Sequence, residues 1–294
     1  MQPPFQPPPY APPHQPPPFQ SPQKPAPVSP PTPPPVQRGV SVMDALRFTT
    51  SGPNGWTNVM YCSLLYLSTQ IVPILGLIVM MGFFAEVHRR LVLRHPEPYV
   101  RFDFSDFSNY LSRGVAPFVM SLALGLPFVL FGIAMAVVIF LVVGAGASSS
   151  LSGAKEFLPL VILGITGTCF VPFMLVWLVL SNAVFTRAEL TGDLSKSFAL
   201  GEIWSYAGKT WKRALVTAIV MSFVSMGLLI VGLLACFVGL FVTMSIQMLA
   251  GLHLRWQIYN EYLLEGGTPI ELAPWETLPS EIPKNAAYAM PPTR

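Results

Sequence analysis

Four stretches of the chain carry no charged side chain: Arg47 to Glu86, Arg113 to Lys155, Glu156 to Arg187, and Arg213 to Arg255. Only a lipid solvent tolerates that much continuous apolar surface, so the pattern predicts transmembrane helices. The first apolar segment covers residues 56–85, about 45 Å as a helix against a hydrocarbon core of about 30 Å. Pro73 lies near its middle, after Ser68-Thr69-Gln70. The segment is therefore either one kinked span or a re-entrant pair of half-helices. The second (residues 115–144) contains Pro117 and Pro127, and the third (157–186) contains Pro172. The last apolar stretch, 214–254, would reach about 60 Å as one helix and must fold in two. Gly232 to Gly239 is the expected break, giving spans at 214–234 and 237–258. The predicted fold is an all-α polytopic transmembrane helix bundle of four to five spans over residues 41–265, with a short flexible C-terminal tail at 266–294.

Between the spans the polar pattern is helical. Val42 to Arg47 predicts a short surface helix, and Pro53-Asn54-Gly55 a turn. In Tyr99 to Phe107, Phe104, Phe107 and Leu111 recur at helical spacing, with Asp103 or Ser105 as a cap. Leu194 and Phe198, capped by Asp193, repeat the pattern ahead of Trp204 and Trp211. Both read as interfacial amphipathic helices whose aromatics sit at headgroup level. Phe102, Phe104, Phe107, Arg89, Arg90, Trp204, Trp211, Lys212 and Arg213 are the candidate contacts to lipid or a partner.

The basic residues give this layout a direction. Residues 86–114 hold five arginines, and residues 187–213 hold five lysines and arginines. The connection between them has only Lys155, and the Gly232–Gly239 turn has none. By the positive-inside tendency both basic loops and the C-terminus are expected in the cytoplasm, in the cell membrane. The side of the N-terminus depends on the first segment: outside for a single span, inside for a re-entrant pair.

Residues 1–40 differ in kind. Eighteen of the first 35 residues are proline, and no acidic residue precedes Asp44. Proline fixes φ and lacks a donor, so this region is expected to be a disordered tail rich in polyproline II. Pro7, Pro8 and Tyr10 fit a PPxY docking peptide; a low-complexity tether is the alternative. The start lacks the charged-then-apolar order of a signal peptide, so no cleaved signal is expected.

Overall composition agrees: 52% hydrophobic, and 11% charged against about 25% in soluble domains. A net charge of +3 is too small to suggest nucleic-acid binding. Cys62, Cys169 and Cys236 lie in apolar stretches without paired spacing and read as small buried hydrophobes, with neither metal nor disulfide. No HExxH, GxSxG, Walker or GxGxxG pattern occurs, so no catalytic residue, metal or cofactor is assigned. The polar residues inside the spans (Gln70, Asn182, Ser222, Ser225, Gln247 and His253) suit hydrogen bonds between helices. Glu86 is expected to pair with Arg90 at the membrane surface, and His88 to lie in a basic surface loop. Leu126-Pro127-Phe128 and Val171-Pro172-Phe173 share a pattern that marks either structural kinks or the broken helices of a transporter.

The order VMDALRF, then Val72-Pro73-Ile74-Leu75-Gly76, Gly82-Phe83, Glu86-Val87-His88-Arg89-Arg90, FDFSDFSNYLSRG, and Gly192-Asp193-Leu194 with Phe198, Leu200 and Gly201 resembles the prokaryotic membrane family called domain of unknown function 4013. The resemblance covers roughly residues 40–265, with phenylalanines where the family usually has an acidic residue and tryptophan. It implies a bacterial or archaeal polytopic membrane protein and no reaction or ligand. The expected function is a non-catalytic membrane scaffold or interaction protein. The lipid bilayer, and a protein reached through the tail, are its expected partners. The alternative is a transporter or channel for a lipid-like or apolar solute.

Overall fold

The computed structural model describes residues 39–148, 154–235, 238–274 and 277–281, which hold helices and connecting segments but no strand. The chain divides into two units, Met1–Pro35 and Val36–Arg294. The first, with Pro7, Pro8 and Tyr10, lies outside the described residues.

Helix α1 (Val42–Thr50) starts at Ser41, whose hydroxyl accepts the Asp44 amide at 3.2 Å. Asp44 in its first turn and Arg47 in its last suit the helix dipole. The first apolar segment then resolves into α2 (Gly55–Ser68) and α3 (Pro73–Val92). Pro73 sits in the first turn of α3, where its missing donor costs nothing, and it bars the preceding residue from helix. Fourteen residues give α2 about 21 Å, too short to cross a bilayer. The two helices double back on each other. Gly76 lies against Ser68 and Leu65 at the turn. At the far end Asn58 donates to the Val100 carbonyl and accepts from the Phe102 amide, each at 2.8 Å. Of the two alternatives, the re-entrant pair is the one observed. Its tip exposes Ile71, Val72, Ile74 and Leu75.

Four helices are long and apolar enough to span a membrane, over Phe104–Val143, Leu160–Thr191, Leu200–Leu234 and Val238–Leu264. They belong to α4 (Phe107–Ser148), α5 (Ala154–Thr191), α7 (Leu200–Leu234) and α8 (Val238–Leu264); α6 (Leu194–Ser197) is a single turn. α4 and α7 begin well before residues 115 and 214. The stretches expected as separate interfacial helices are largely the first turns of the spans. A helix continues across such a boundary because its backbone bonds are internal whatever solvent the side chains meet. The break between α7 and α8 falls inside Gly232–Gly239 as expected. A Cβ on Gly239 would press on the Gly232 carbonyl, 2.6 Å away.

The helices run unbroken through Pro117, Pro127 and Pro172. The repeated proline–phenylalanine motifs therefore mark a packing contact rather than broken helices. Phe173 meets Phe128 edge-on and stacks on Phe131, both at 4.8 Å between centroids. Trp177 donates to the Leu124 carbonyl at 3.3 Å, in the turn before Pro127.

α3 and α4 approach closely where Gly82 faces Tyr110 and Gly114 faces Ile78. A Cβ at either glycine would overlap the opposing carbonyl, so this antiparallel crossing requires glycine. Aromatic packing follows: Phe83, Phe102 and Tyr110 form one buried core, and Ile203, Tyr206, Ile258 and Tyr259 belong to a second. Both cores lie at one end of the bundle, where α3, α5 and α8 finish and α4 and α7 start. The opposite ends expose Phe140, Leu141, Phe157, Leu234 and Val238. Cys62 is buried in the first core, Cys169 is exposed on α5 rather than buried, and Cys236 lies outside the described residues.

Past α8 the chain turns at Gly266, whose φ of 78° is the left-handed region glycine favours. The expected flexible tail is instead a docked strap over its described part. Ala273 donates to the Leu190 carbonyl at 2.9 Å, Leu278 is fully buried, and Ser280 donates twice to Asp106, at 2.9 and 2.6 Å. A buried leucine and a buried carboxylate hold it down.

Candidate functional site

The end of the bundle that holds both cores also gathers the charges. α3 presents Glu86, His88, Arg89 and Arg90 on its last turns, and all four are buried. Glu86 does pair with Arg90, at 2.7 Å and four residues apart, but inside the protein rather than at the surface. Its other oxygen takes Arg113 from α4. Arg90 continues to Glu281 of the strap at 2.5 Å. The correction for His88 is similar. α3 extends past it, and His88 contacts Glu189 of α5 at 2.6 Å from full burial. Glu189 also takes Arg255 of α8 at 2.5 Å. Arg89 donates to the Pro274 carbonyl at 2.8 Å.

Glu86 and Glu189 thus each face two basic groups on different helices. Burying an isolated charge costs several kcal/mol or more, and only close partners offset it. Chemically, the carboxylates of Glu86 and Glu189 are engaged by guanidinium and imidazole groups. Among the described residues no cluster of three or more His, Cys, Asp or Glu side chains could hold a metal.

The candidate contact residues separate by exposure. Phe102 is turned inward, stacked on Tyr110 at 5.2 Å, because Asn58 pins its amide to α2. Arg90 is turned inward by its pairs with Glu86 and Glu281, and Arg89 by its bond to the Pro274 carbonyl. These three present no surface to lipid. Phe104 is 61% exposed, Phe107 is half-buried against the first core, and Trp204 and Trp211 are 59% and 46% exposed. Lys212 is exposed with its ammonium 5.6 Å from the Trp211 ring, and Arg213 holds Glu265 with both terminal nitrogens. Trp204, Gly208, Trp211 and Leu215 share one face of α7 and line an apolar notch against α5. Asp193 caps α6 by accepting the Ser195 amide at 2.8 Å, and that bonding holds its carboxyl below the usual range.

A family model described as Protein of unknown function (DUF4013) matches residues 65–249, more than half of the chain. The chain belongs to this family. No curated protein and no solved structure matches it. The DUF4013 match contains Glu86, His88, Arg90, Arg113 and Glu189 and stops short of Arg255 and the strap. The DUF4013 region therefore carries the buried carboxylates of α3 and α5, while Arg255, which pairs with Glu189, and Glu281, which pairs with Arg90, lie beyond it.

Sequence reading missed Glu189, Asp106 and Asn58. The available signal was a carboxylate within three residues of a span's end, as in Thr186-Arg187-Ala188-Glu189, where only a partner from another helix permits burial. Nothing local in the sequence names that partner.

Proposed function

We propose that the chain is a non-catalytic membrane scaffold whose charged end is an interaction platform. The observation that carries this reading is the division of labour at that end. Glu86 and Glu189 inside are paired with arginines of neighbouring turns and helices, and the outward rim offers Phe104, Trp204, Trp211 and Lys212. Groups tied up in mutual ion pairs hold helices together; they are poorly placed to exchange protons with a substrate. The aromatic and basic rim suits the headgroup level of a bilayer, with Arg213 beside it.

Orientation follows the same geometry. Gly39 and Ser41 donate to Glu261 and Gln257 near the end of α8, at 2.6 and 2.7 Å. The chain thus enters at the charged end, and the positive-inside tendency assigns that end to the cytoplasm of a bacterial cell. Pro7, Pro8 and Tyr10 are the docking peptide through which a protein partner would be recruited.

A carrier for a lipid-like solute is the second reading, favoured by a polar-lined cleft between α5, α7 and α8. Deleting residues 1–36 separates the two. A scaffold loses crosslinked protein partners in membranes, and a carrier keeps its flux in vesicles. Unchanged partners together with solute flux would reject the scaffold.

A further inference from the structure

Polar groups scattered through the apolar sequence converge in one place. Ser181 and Asn182 of α5, Thr217, Ser222 and Ser225 of α7, and Arg255 of α8 line a cleft of about 490 Å³. It runs from the charged end, at Arg255 and Ala214, into the apolar slab at Trp177 and Ser225, and Ser222 at its rim is exposed. From this convergence we infer that the cleft binds an anionic phospholipid whose headgroup carries hydroxyls.

Two groups select that chemistry. Arg255 gives Nε and Nη2 to Glu189, at 3.3 and 2.5 Å. Glu189 takes neither hydrogen of Nη1, which lies beside Gly251 on the cleft wall, so that nitrogen is the donor left for the cleft. A phosphate oxygen is the natural acceptor for it. Asn182 is the second group. Its side-chain oxygen is buried, and no protein group bonds it. An amide in that state costs about 1–3 kcal/mol unless a donor arrives. A headgroup hydroxyl supplies the donor, and it explains why an asparagine sits there. Ser181 and Ser222 spend their hydrogens on their own helix, on the Leu178 and Ala218 carbonyls, at 3.0 and 2.8 Å. They keep acceptor lone pairs, which again suits a hydroxylated head. Phe185, whose ring lies 5.7 Å from the Arg255 guanidinium, and Trp177 wall the cleft with surface fit for an acyl chain. The inference stands apart from the scaffold reading, since a scaffold and a carrier alike can hold a lipid.

The test uses the full chain in mild detergent, titrated with phosphatidylglycerol or phosphatidylcholine and read by native mass spectrometry and thermal unfolding. Phosphatidylglycerol is expected to stay bound and to raise the unfolding temperature more than phosphatidylcholine. Arg255→Gln removes a partner of buried Glu189 and threatens folding, so Asn182→Leu and Gly251→Leu are the deciding variants. The first removes the unbonded amide and the second fills the space beside Nη1. Each is expected to weaken phosphatidylglycerol roughly tenfold, the order of one polar contact, with phosphatidylcholine binding unchanged. Equal binding of the two lipids, or selectivity that survives both variants, would overturn the assignment. So would glycerol phosphate in solution binding as tightly as the lipid, since the site would then serve a soluble phosphate ester.

Discussion

Replacing Glu86 by glutamine tests whether the charged end holds the bundle together. The carboxylate is fully buried between Arg90, itself fully buried, and Arg113, 13% exposed. Glutamine keeps the shape but removes the charge, and its amide nitrogen faces a guanidinium as a second donor. Arg90 keeps Glu281, which is 28% exposed and so a weaker partner. Breaking a buried pair by removing one member costs about 3–5 kcal/mol. Whole domains are stable by about 5–15 kcal/mol, so the loss is a large share. At roughly 2–4 °C per kcal/mol for a domain of this size, the unfolding temperature should fall by about 6–20 °C. The assay is thermal unfolding of the purified full chain in detergent, followed by tryptophan fluorescence. Combining Glu86→Gln with Arg113→Gln closes a double-mutant cycle. The second change should cost much less in the variant background than in the wild type, with a coupling of about 0.5–3 kcal/mol. A drop worth under about 1 kcal/mol for Glu86→Gln would be the behaviour of a solvated surface pair and would refute the argument.

Three further outcomes follow from the same structure. Gly82→Ala or Gly114→Ala must push α3 and α4 apart, costing about 1–3 kcal/mol or more by overpacking, whereas Gly125→Ala, with open space around it, should be near neutral in thermal unfolding. Asn58→Leu strands the Val100 carbonyl and the Phe102 amide, at about 1–3 kcal/mol for each, and should expose the loop before α4 to protease. The strap should loosen in acid. Burial alone would raise the Glu281 pKa, but the hydrogen bond and charge of Arg90 outweigh it and hold the carboxyl below the usual range. A carboxyl lowered on folding stabilises fully above its unfolded value, about 4.3, and that contribution fades as pH falls through the lower folded value. Unfolding temperature should therefore decline below about pH 4.5, and the decline should be shallower in Glu281→Gln; equal slopes would dissociate the strap from Arg90.

Several elements are legible in the linear chain. The four uncharged stretches specify helix in lipid, because transfer from water to hydrocarbon acts residue by residue along the sequence. The turn at Gly232–Gly239 follows from length alone, and the Asp193 cap and the Glu86–Arg90 pair follow from local spacing. Pairing across the chain is not legible. Whether Pro73 kinks one span or begins a returning helix depends on the loop after α3, which Asn58 draws back onto α2. That Gly82 meets Tyr110, that Glu189 meets Arg255, and that Asn182, Ser222 and Arg255 open into one cleft depends on which helix faces touch. Hydrophobicity along a stretch of sequence says how deep a residue sits in the bilayer. Which neighbour it meets at that depth is decided by side-chain shape and charge between segments as much as 222 residues apart, and only the assembled bundle contains that information.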